Sequence, residues 1–406
     1  MTATVYLDNA ATTRPADEVL EVMTQAARED FANPSSAHAG GAAAARVLEQ
    51  ARHEIAGVLG CDTPAELTFT SGGTEANALA ILGAAARARG RHVVIGATEH
   101  PAVLRNTERL AKQGGFEVTR VAPDATGTIC PAGVAAALRP ETEIVAVMLV
   151  NNELGTLQPV AAIARVLAAH ATDSGRRPPH FHIDAVQGFG LLSFRPALLG
   201  ADSLAISAHK IHGPKGVGAL WARPGARLTS LWDGGGQERG LRPGSENLPG
   251  IVGFARAATL AARARFDGAA VRIAALRDDL EDRIRSGVPG ARLTVPTGER
   301  APHISSLSFP GLPAEPLLHA LEARGVMASA GSACASKVRG PSHVLKAIGV
   351  ADDTAVLRFS LSRDTTADEI RVAAQALIAA VAEIDVPVKP DRRPKDGAAI
   401  KRRGIG

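Results

Sequence analysis

The chain has 406 residues, too many for one ordinary core, so two domains are expected. Its 46% hydrophobic content and mean hydropathy near zero fit a globular protein, and no apolar run reaches the roughly 18 residues of a membrane span. The formal charge of +4 is uneven, because Val386 to Gly406 carries seven Lys/Arg against two Asp. The body is therefore close to neutral and carries no nucleic-acid signal, while the Pro- and Gly-containing tail from 386 to 406 is expected to be disordered.

The start, Met1-Thr-Ala-Thr-Val-Tyr-Leu-Asp8, has neither a basic leader nor an apolar stretch, so the cytoplasm is the expected location. Cys61, Cys130 and Cys334 are far apart and form no CxxC, which argues against a disulfide framework or a zinc knuckle. His180/His182 and His209/His212 have spacings found in metal sites. No Cys or carboxylate converges on either pair in sequence, so no metal is expected.

Along the first 220 residues apolar runs alternate with helix-like segments. Strands are predicted over 67–70, 92–97, 117–121, 144–150 and 180–184, with helices over 75–88, 102–113 and 160–170 between them. Gly90 and Gly114 are candidate helix stops. This alternation predicts an α/β fold, a mostly parallel sheet with helices on both faces. After the glycine-rich segment Gly234 to Gly244 the texture changes. One long helical stretch, 251–285, is followed by strands near 293, 305–309 and 356–361, with helices over 317–323 and 367–384. The expected division is a large domain of residues 16–250, and a smaller α+β domain built from 1–15 and 251–385.

The chemistry-bearing segments fall at predicted strand ends. Thr70-Ser-Gly-Gly73-Thr74-Glu-Ala-Asn77 joins a strand to a helix. Its glycines and helix N-terminus suit an anion, although Thr74 merely capping the helix explains the pattern equally. It is neither a Walker loop nor a GxGxxG turn. His100, in Thr98-Glu-His-Pro101, sits where ligands collect in open α/β sheets and can stack on a flat ring or shuttle a proton. Asn152 follows another apolar run and can hydrogen-bond a ring oxygen. Asp184-Ala-Val-Gln187 ends a third, placing a carboxylate where a pyridinium nitrogen needs one.

In Ser207-Ala-His209-Lys210 an amine stands beside a hydroxyl and an imidazole. Lysine forms a Schiff base with a carbonyl cofactor, and its neighbours can hold that cofactor's phosphate, so pyridoxal phosphate is the cofactor these segments suggest together. Cys334 lies among small residues between Ser329 and Pro341, near Lys337 and Arg339, where a reactive thiolate and an inert thiol are both open readings. Arg358, in an apolar strand, needs a carboxylate, either a substrate's or an internal one.

From residue 5 to about 385 these segments resemble the cysteine desulfurases of the NifS/IscS type, group I, within the class V pyridoxal-phosphate enzymes. The resemblance rests on Tyr6-Leu-Asp-Asn-Ala-Ala-Thr-Thr13, Ser71-Gly-Gly-Thr-Glu-Ala-Asn77, His182-Ile-Asp-Ala-Val-Gln187, Ser207-Ala-His-Lys210, Gly234 to Gly244 and Gly331-Ser-Ala-Cys334. It implies the fold type I architecture with a seven-stranded sheet. It also implies that Lys210 binds the cofactor and moves the α-proton of L-cysteine, with Asp184 at the pyridine nitrogen and His100 on the ring. Gln187 and Asn152 would serve the ring hydroxyl and the substrate side, Gly73, Thr74, Ser207 and His209 the phosphate, and Arg358 the substrate carboxylate. Ser245, where many members have Thr, would reach the phosphate of the other subunit of a homodimer. Cys334 would take the sulfur as a persulfide, pass it to an acceptor or iron–sulfur scaffold protein, and transiently ligate a cluster. The tail matches no part of the family. A selenocysteine lyase or another class V enzyme is the alternative, and a non-enzymatic binding protein on the same fold the more distant one.

Overall fold

The structure is a computed structural model that describes residues 4–296, 298–331 and 342–384. Cys334, the cysteine of the predicted transfer step, and the predicted disordered tail from 386 lie outside the described residues.

After β1 (Val5–Tyr6) the chain lays down one seven-stranded sheet: Leu67–Thr70 (β2), His92–Gly96 (β3), Glu117–Val121 (β4), Thr142–Ala146 (β5), His180–Asp184 (β6), Ser203–Ser207 (β7) and Gly218–Ala222 (β8). Their order is β2-β8-β7-β6-β5-β3-β4, and every pairing is parallel except the two made by β8. The central strands are buried on both faces, so they read in sequence as continuous apolar runs with no alternation. On one face lie the helices Asp17–Glu29, Ala39–Leu59, Val160–Ser174 and Leu248–Phe266. Gly73–Ala85 and Pro101–Gly114 cover the other. Among the described residues no helix is long and apolar enough to cross a membrane.

A second core is built on Arg292–Leu293 (β9), Ile304–Pro310 (β10) and Thr354–Ser360 (β12), with β10 antiparallel to both others. The helices Ala269–Gly287, Ala314–Ala323 and Ala367–Glu383 close over Leu307, Phe309, Leu357 and Phe359. β1 pairs in parallel with Val326–Met327 (β11), which ties the N-terminus to this unit. The next residues then cross to the large sheet. The Ala10 amide donates to Ser360 Oγ at 2.8 Å, and the Thr13 amide donates to the His209 carbonyl at 2.9 Å.

Several sequence expectations are corrected. The stretch 251–285 is two helices, broken at Gly268, whose φ of +81° lies in the left-handed region that glycine tolerates. The predicted strand 144–150 begins at Thr142 and its regular part ends at Ala146, although the Val147 and Leu149 amides still donate to the His182 and Asp184 carbonyls. Gly115 (φ +65°), next to the predicted Gly114, caps its helix, whereas the preceding helix ends at Ala85, well before Gly90.

The glycine-rich segment is held down by one buried ion pair. Arg52 meets Glu238 through two parallel bonds of 2.7 and 2.8 Å, both side chains almost wholly buried, and Glu238 Oε2 also accepts from the Phe69 amide at 2.8 Å. Glu238 and Arg239 both have positive φ (46° and 57°), an unfavourable backbone that this pairing maintains. Arg52→Met leaves Glu238 buried and unpaired, and should cost about 3–5 kcal/mol in urea unfolding of the cofactor-free protein. A loss below about 1 kcal/mol would contradict that assignment.

Candidate active site

The loops at the C-terminal ends of the parallel strands open onto one cavity of about 470 Å³. Beyond β2, Gly72 adopts φ +151° with open space where a side chain would stand, and no side chain caps the helix that follows. The amides of its first turn are therefore free of capping by side chains and carry the partial positive charge of a helix start. A Cβ on Gly73 would lie 2.6 Å from Val186 Cγ2, so close packing of this turn onto the strand β6 loop requires glycine. The Ser71 amide donates to Glu75 Oε2 at 2.7 Å, and Arg242 Nε donates to Glu75 Oε1 at 2.9 Å, which fixes the turn beside the glycine-rich segment.

Lys210 closes the short 3-10 turn after β7. Its Nζ donates to the carbonyls of Ala10 and Ala11 at 2.6 and 2.7 Å, so the N-terminal crossing segment holds it over the cavity. His209 reaches Thr12 Oγ1 at 3.1 Å through Nδ1. Burial, with the charges of Lys210 and Lys215 adding, pushes the His209 imidazole down to about 4, so it stands neutral at pH 7. Ser207 Oγ is buried on the cavity wall and has no hydrogen-bond partner among the described residues.

Asp184 ends β6. Its Oδ1 accepts from the Val186 amide at 3.0 Å and its Oδ2 from Asn77 Nδ2 at 2.7 Å. Gln187, one turn on, donates from Nε2 to the Ala10 carbonyl at 2.8 Å, with His303 Nε2 3.4 Å from its Oε1. His100 caps the helix Pro101–Gly114 by accepting the Ala102 amide on Nδ1 at 3.1 Å. That bond fixes the proton on Nε2, and burial lowers the pKa while Asp184 opposes the shift. Next to it the wholly buried Glu99 carboxyl is pushed well above the usual range by burial, with the Met148 amide opposing and Asp184 adding.

Ten predicted site residues thus line one cavity: Gly73, Thr74, His100, Asn152 and Asp184, together with Gln187, Ser207, His209, Lys210 and Arg358. Arg358 is 1% exposed and internally paired, donating to Asp8 Oδ1 at 2.7 Å and to the Asn152 carbonyl at 2.9 Å. Its buried Nε has no partner among the described residues. Ser245 is exposed and does not line this cavity. Cys334 lies outside the described residues, but Gly331 and Ser342, which flank that stretch, both meet Glu153. A Cβ on Gly331 would stand 3.2 Å from Glu153 Oε2, and Ser342 Oγ donates to the same oxygen at 2.5 Å. Among the described residues no three His, Cys, Asp or Glu converge to hold a metal, and His212 turns away to the Arg14 carbonyl.

The residues fit a phosphate-bearing pyridine cofactor. An unpartnered buried hydroxyl and helix amides free of side-chain capping suit a phosphate, Lys210 and Lys215 line the same cavity, and so does Asp184, a carboxylate with lone pairs to spare. Sequence reasoning missed Asn77, Asp8 and His303. Asn77 was legible, for it stands three residues after Thr74 and so shares its helix face. Asp8 stands in the Tyr6 to Thr13 motif, but its pairing with Arg358 is 350 residues away, and nothing local marks His303.

Burial also pushes His182 and His303 down to about 3. The folded protein therefore binds fewer protons than the unfolded chain below pH 6.5, and stability falls as pH drops from 6.5 toward 3. These two histidines should remove about 2 kcal/mol between pH 6.5 and 5.5, and His180 and His209, pushed down to about 4, add a similar loss. The raised Glu99 carboxyl opposes it, so urea unfolding of the cofactor-free protein should show a net fall. A flat profile across that interval would contradict their neutral burial.

The class-V aminotransferase model matches residues 5–372. The chain is 44% identical to a cysteine desulfurase of Cereibacter sphaeroides, over 90% of this chain and 92% of that protein. It is 42% identical to the cysteine desulfurase IscS of Anaeromyxobacter dehalogenans strain 2CP-C, over 90% and 89%. A solved NifS-like protein superposes with a TM-score of 0.86 at 35% identity, covering 94% of this chain and all of that one.

Proposed function

The chain belongs to the class-V aminotransferase family, and we propose on that premise that its strand-end cavity converts L-cysteine to L-alanine with the sulfur retained on Cys334. It is a pyridoxal-phosphate-dependent cysteine desulfurase, and relatives named for that activity favour it over a selenocysteine lyase. The observation that carries the residue assignment is the convergence of Lys210, Asp184 and the unpartnered Ser207 hydroxyl on one cavity.

When bound, the cofactor supplies an electron sink for the substrate's α-carbon. Thr74, Ser207, His209 and the first amides of the Gly73–Ala85 helix would hold its phosphate. Asp184 would face its ring nitrogen, Gln187 its ring hydroxyl and His100 its flat face, while Lys210 would bind it covalently. The two carbonyls hold Lys210 Nζ at the cavity wall, where the same amine can take the proton from the substrate's Cα and return it. Asn152 and Arg358 would orient the substrate, and the buried Arg358 Nε without a partner supports a carboxylate there.

Cys334 Sγ, as thiolate, attacks the substrate sulfur. A sulfur–sulfur bond forms as the carbon–sulfur bond breaks, the electron pair stays with carbon, and protonation of that carbon gives alanine. The persulfide on Cys334 then passes to an acceptor, an iron–sulfur scaffold or another thio-cofactor route. The convergence of Gly331 and Ser342 on Glu153, beside cavity-lining Asn152, supports a cysteine segment rooted at this site. Cys61 is a poor rival, since burial, with Glu66 and Asp62 adding, pushes its thiol up to about 12.

The protein would act in the cytoplasm as a homodimer. The exposed Ser245, at the end of a segment pinned by Arg52–Glu238 and Arg242–Glu75, supports a loop offered to a partner's phosphate. The domain division is kept as a proposal with its boundary moved past Phe266, because the helix Leu248–Phe266 packs on the larger core.

Cys334→Ala should retain the cofactor's visible absorbance yet release no alanine, and mass spectrometry of the wild type after cysteine treatment should find the added sulfur on Cys334. Sulfur on Cys61 or Cys130, or normal alanine release by Cys334→Ala, would overturn the transfer step. For the shared site, light scattering should give a dimer, and Ser245→Ala should weaken cofactor binding by roughly tenfold, the worth of one charge-assisted hydrogen bond. A fully active monomer would contradict it.

A further inference from the structure

Behind Asp184 runs a chain of buried hydrogen bonds that the reaction above does not use. Asn77 Nδ2 donates to Asp184 Oδ2 at 2.7 Å, and Asn77 Oδ1 lies 2.7 Å from His182 Nε2. His182 Nδ1 lies 2.9 Å from Ser203 Oγ, which in turn lies 2.8 Å from His180 Nε2. Asn77 is 1% exposed, and His182 and Ser203 are wholly buried.

The direction of every bond follows from the carboxylate. A carboxylate accepts, so the Asn77 amide nitrogen faces Asp184 and its oxygen faces His182. An amide oxygen also only accepts, so His182 carries its proton on Nε2. Burial pushes that imidazole down to about 3, hence it is neutral, Nδ1 is an acceptor, and Ser203 donates to it. The Ser203 oxygen is then free to accept from His180 Nε2.

We propose that Asn77 and His182 are positioning residues that hold the Asp184 carboxylate at the angle the cofactor's ring nitrogen requires. This rests on Asp184 meeting that nitrogen. An Asn side chain alone can rotate its amide by half a turn and present oxygen to the carboxylate. The Nε2–H of His182 blocks that rotation, because the flipped amide would set N–H against N–H. The Ser203 hydroxyl, able to donate or accept, follows the tautomer that Asn77 imposes and donates to Nδ1. The orientation of the carboxylate is thus set through Asn77 by His182, one hydrogen bond further on and outside the cavity lining.

The test combines histidine nitrogen NMR of the cofactor-free protein with titration of that protein by pyridoxal phosphate, in the wild type and in Asp184→Ala, Asn77→Leu, His182→Leu and His182→Gln. His182 should carry its proton on Nε2. Asn77→Leu and His182→Leu should each weaken pyridoxal phosphate binding by about tenfold, the scale of one hydrogen bond to a charged group. His182→Gln, whose amide keeps a donor near the Nε2 position, should recover most of that loss. An Nδ1–H tautomer overturns the proposal. So does unchanged binding in Asn77→Leu where Asp184→Ala binds weakly, which leaves the assignment of Asp184 standing. Unchanged binding in Asp184→Ala overturns both. Should Asn77→Leu fail to fold, the His182→Leu and His182→Gln pair carries the test, and unchanged binding in His182→Leu where Asp184→Ala binds weakly overturns the proposal.

Discussion

A carboxylate at the mouth of a fully buried strand is costly unless donors surround it, and Asp184 is where the structure meets that constraint. One donor is the Val186 amide of its own turn, the other the Asn77 amide of a helix that enters from a different strand end. Because β6 is central, its end is also the point from which β5 and β7 project their loops. Lys210 follows β7 and Asn152 follows β5, so the positions of both are consequences of sheet order. His100 and Glu99, after β3, feel the same charge. It raises the His100 pKa against burial and adds to the rise at Glu99.

The second constraint is the crossing segment from Tyr6 to Thr13. It begins in the small unit, paired through β1 with β11, and ends bonded to the His209 carbonyl and the His212 amide. Between these anchors the Ala10 carbonyl takes bonds from both Lys210 Nζ and Gln187 Nε2. Asp8 pairs with Arg358 of β12 in the same passage. The lysine, the predicted ring ligand and the predicted substrate arginine therefore share one backbone tether, and a shift of the small unit reaches all three.

Much of this was legible in the sequence. Strand ends carry chemistry because burial makes the strands themselves uniformly apolar, so Asp184, His100 and Lys210 stood out as polar residues where apolar runs stop. The class-V family follows from those motifs and from their order. What escaped notice was long-range. Asp8 lies 350 residues from Arg358, and His182 was read by its spacing to His180 and as part of a family motif, with no role, although its partner is an amide on a helix 105 residues earlier. The break at Gly268 was hidden because apolar and charged residues keep helical texture on both sides, and only the positive φ there separates them.

The measurement that bears most directly on the site is covalent. The cofactor-bound enzyme would be reduced with borohydride, digested and mapped by mass spectrometry. The pyridoxyl group is expected on Lys210, the amine held at the cavity wall by the Ala10 and Ala11 carbonyls. Attachment to Lys215 or to any other lysine, with Lys210 unmodified, would contradict the account.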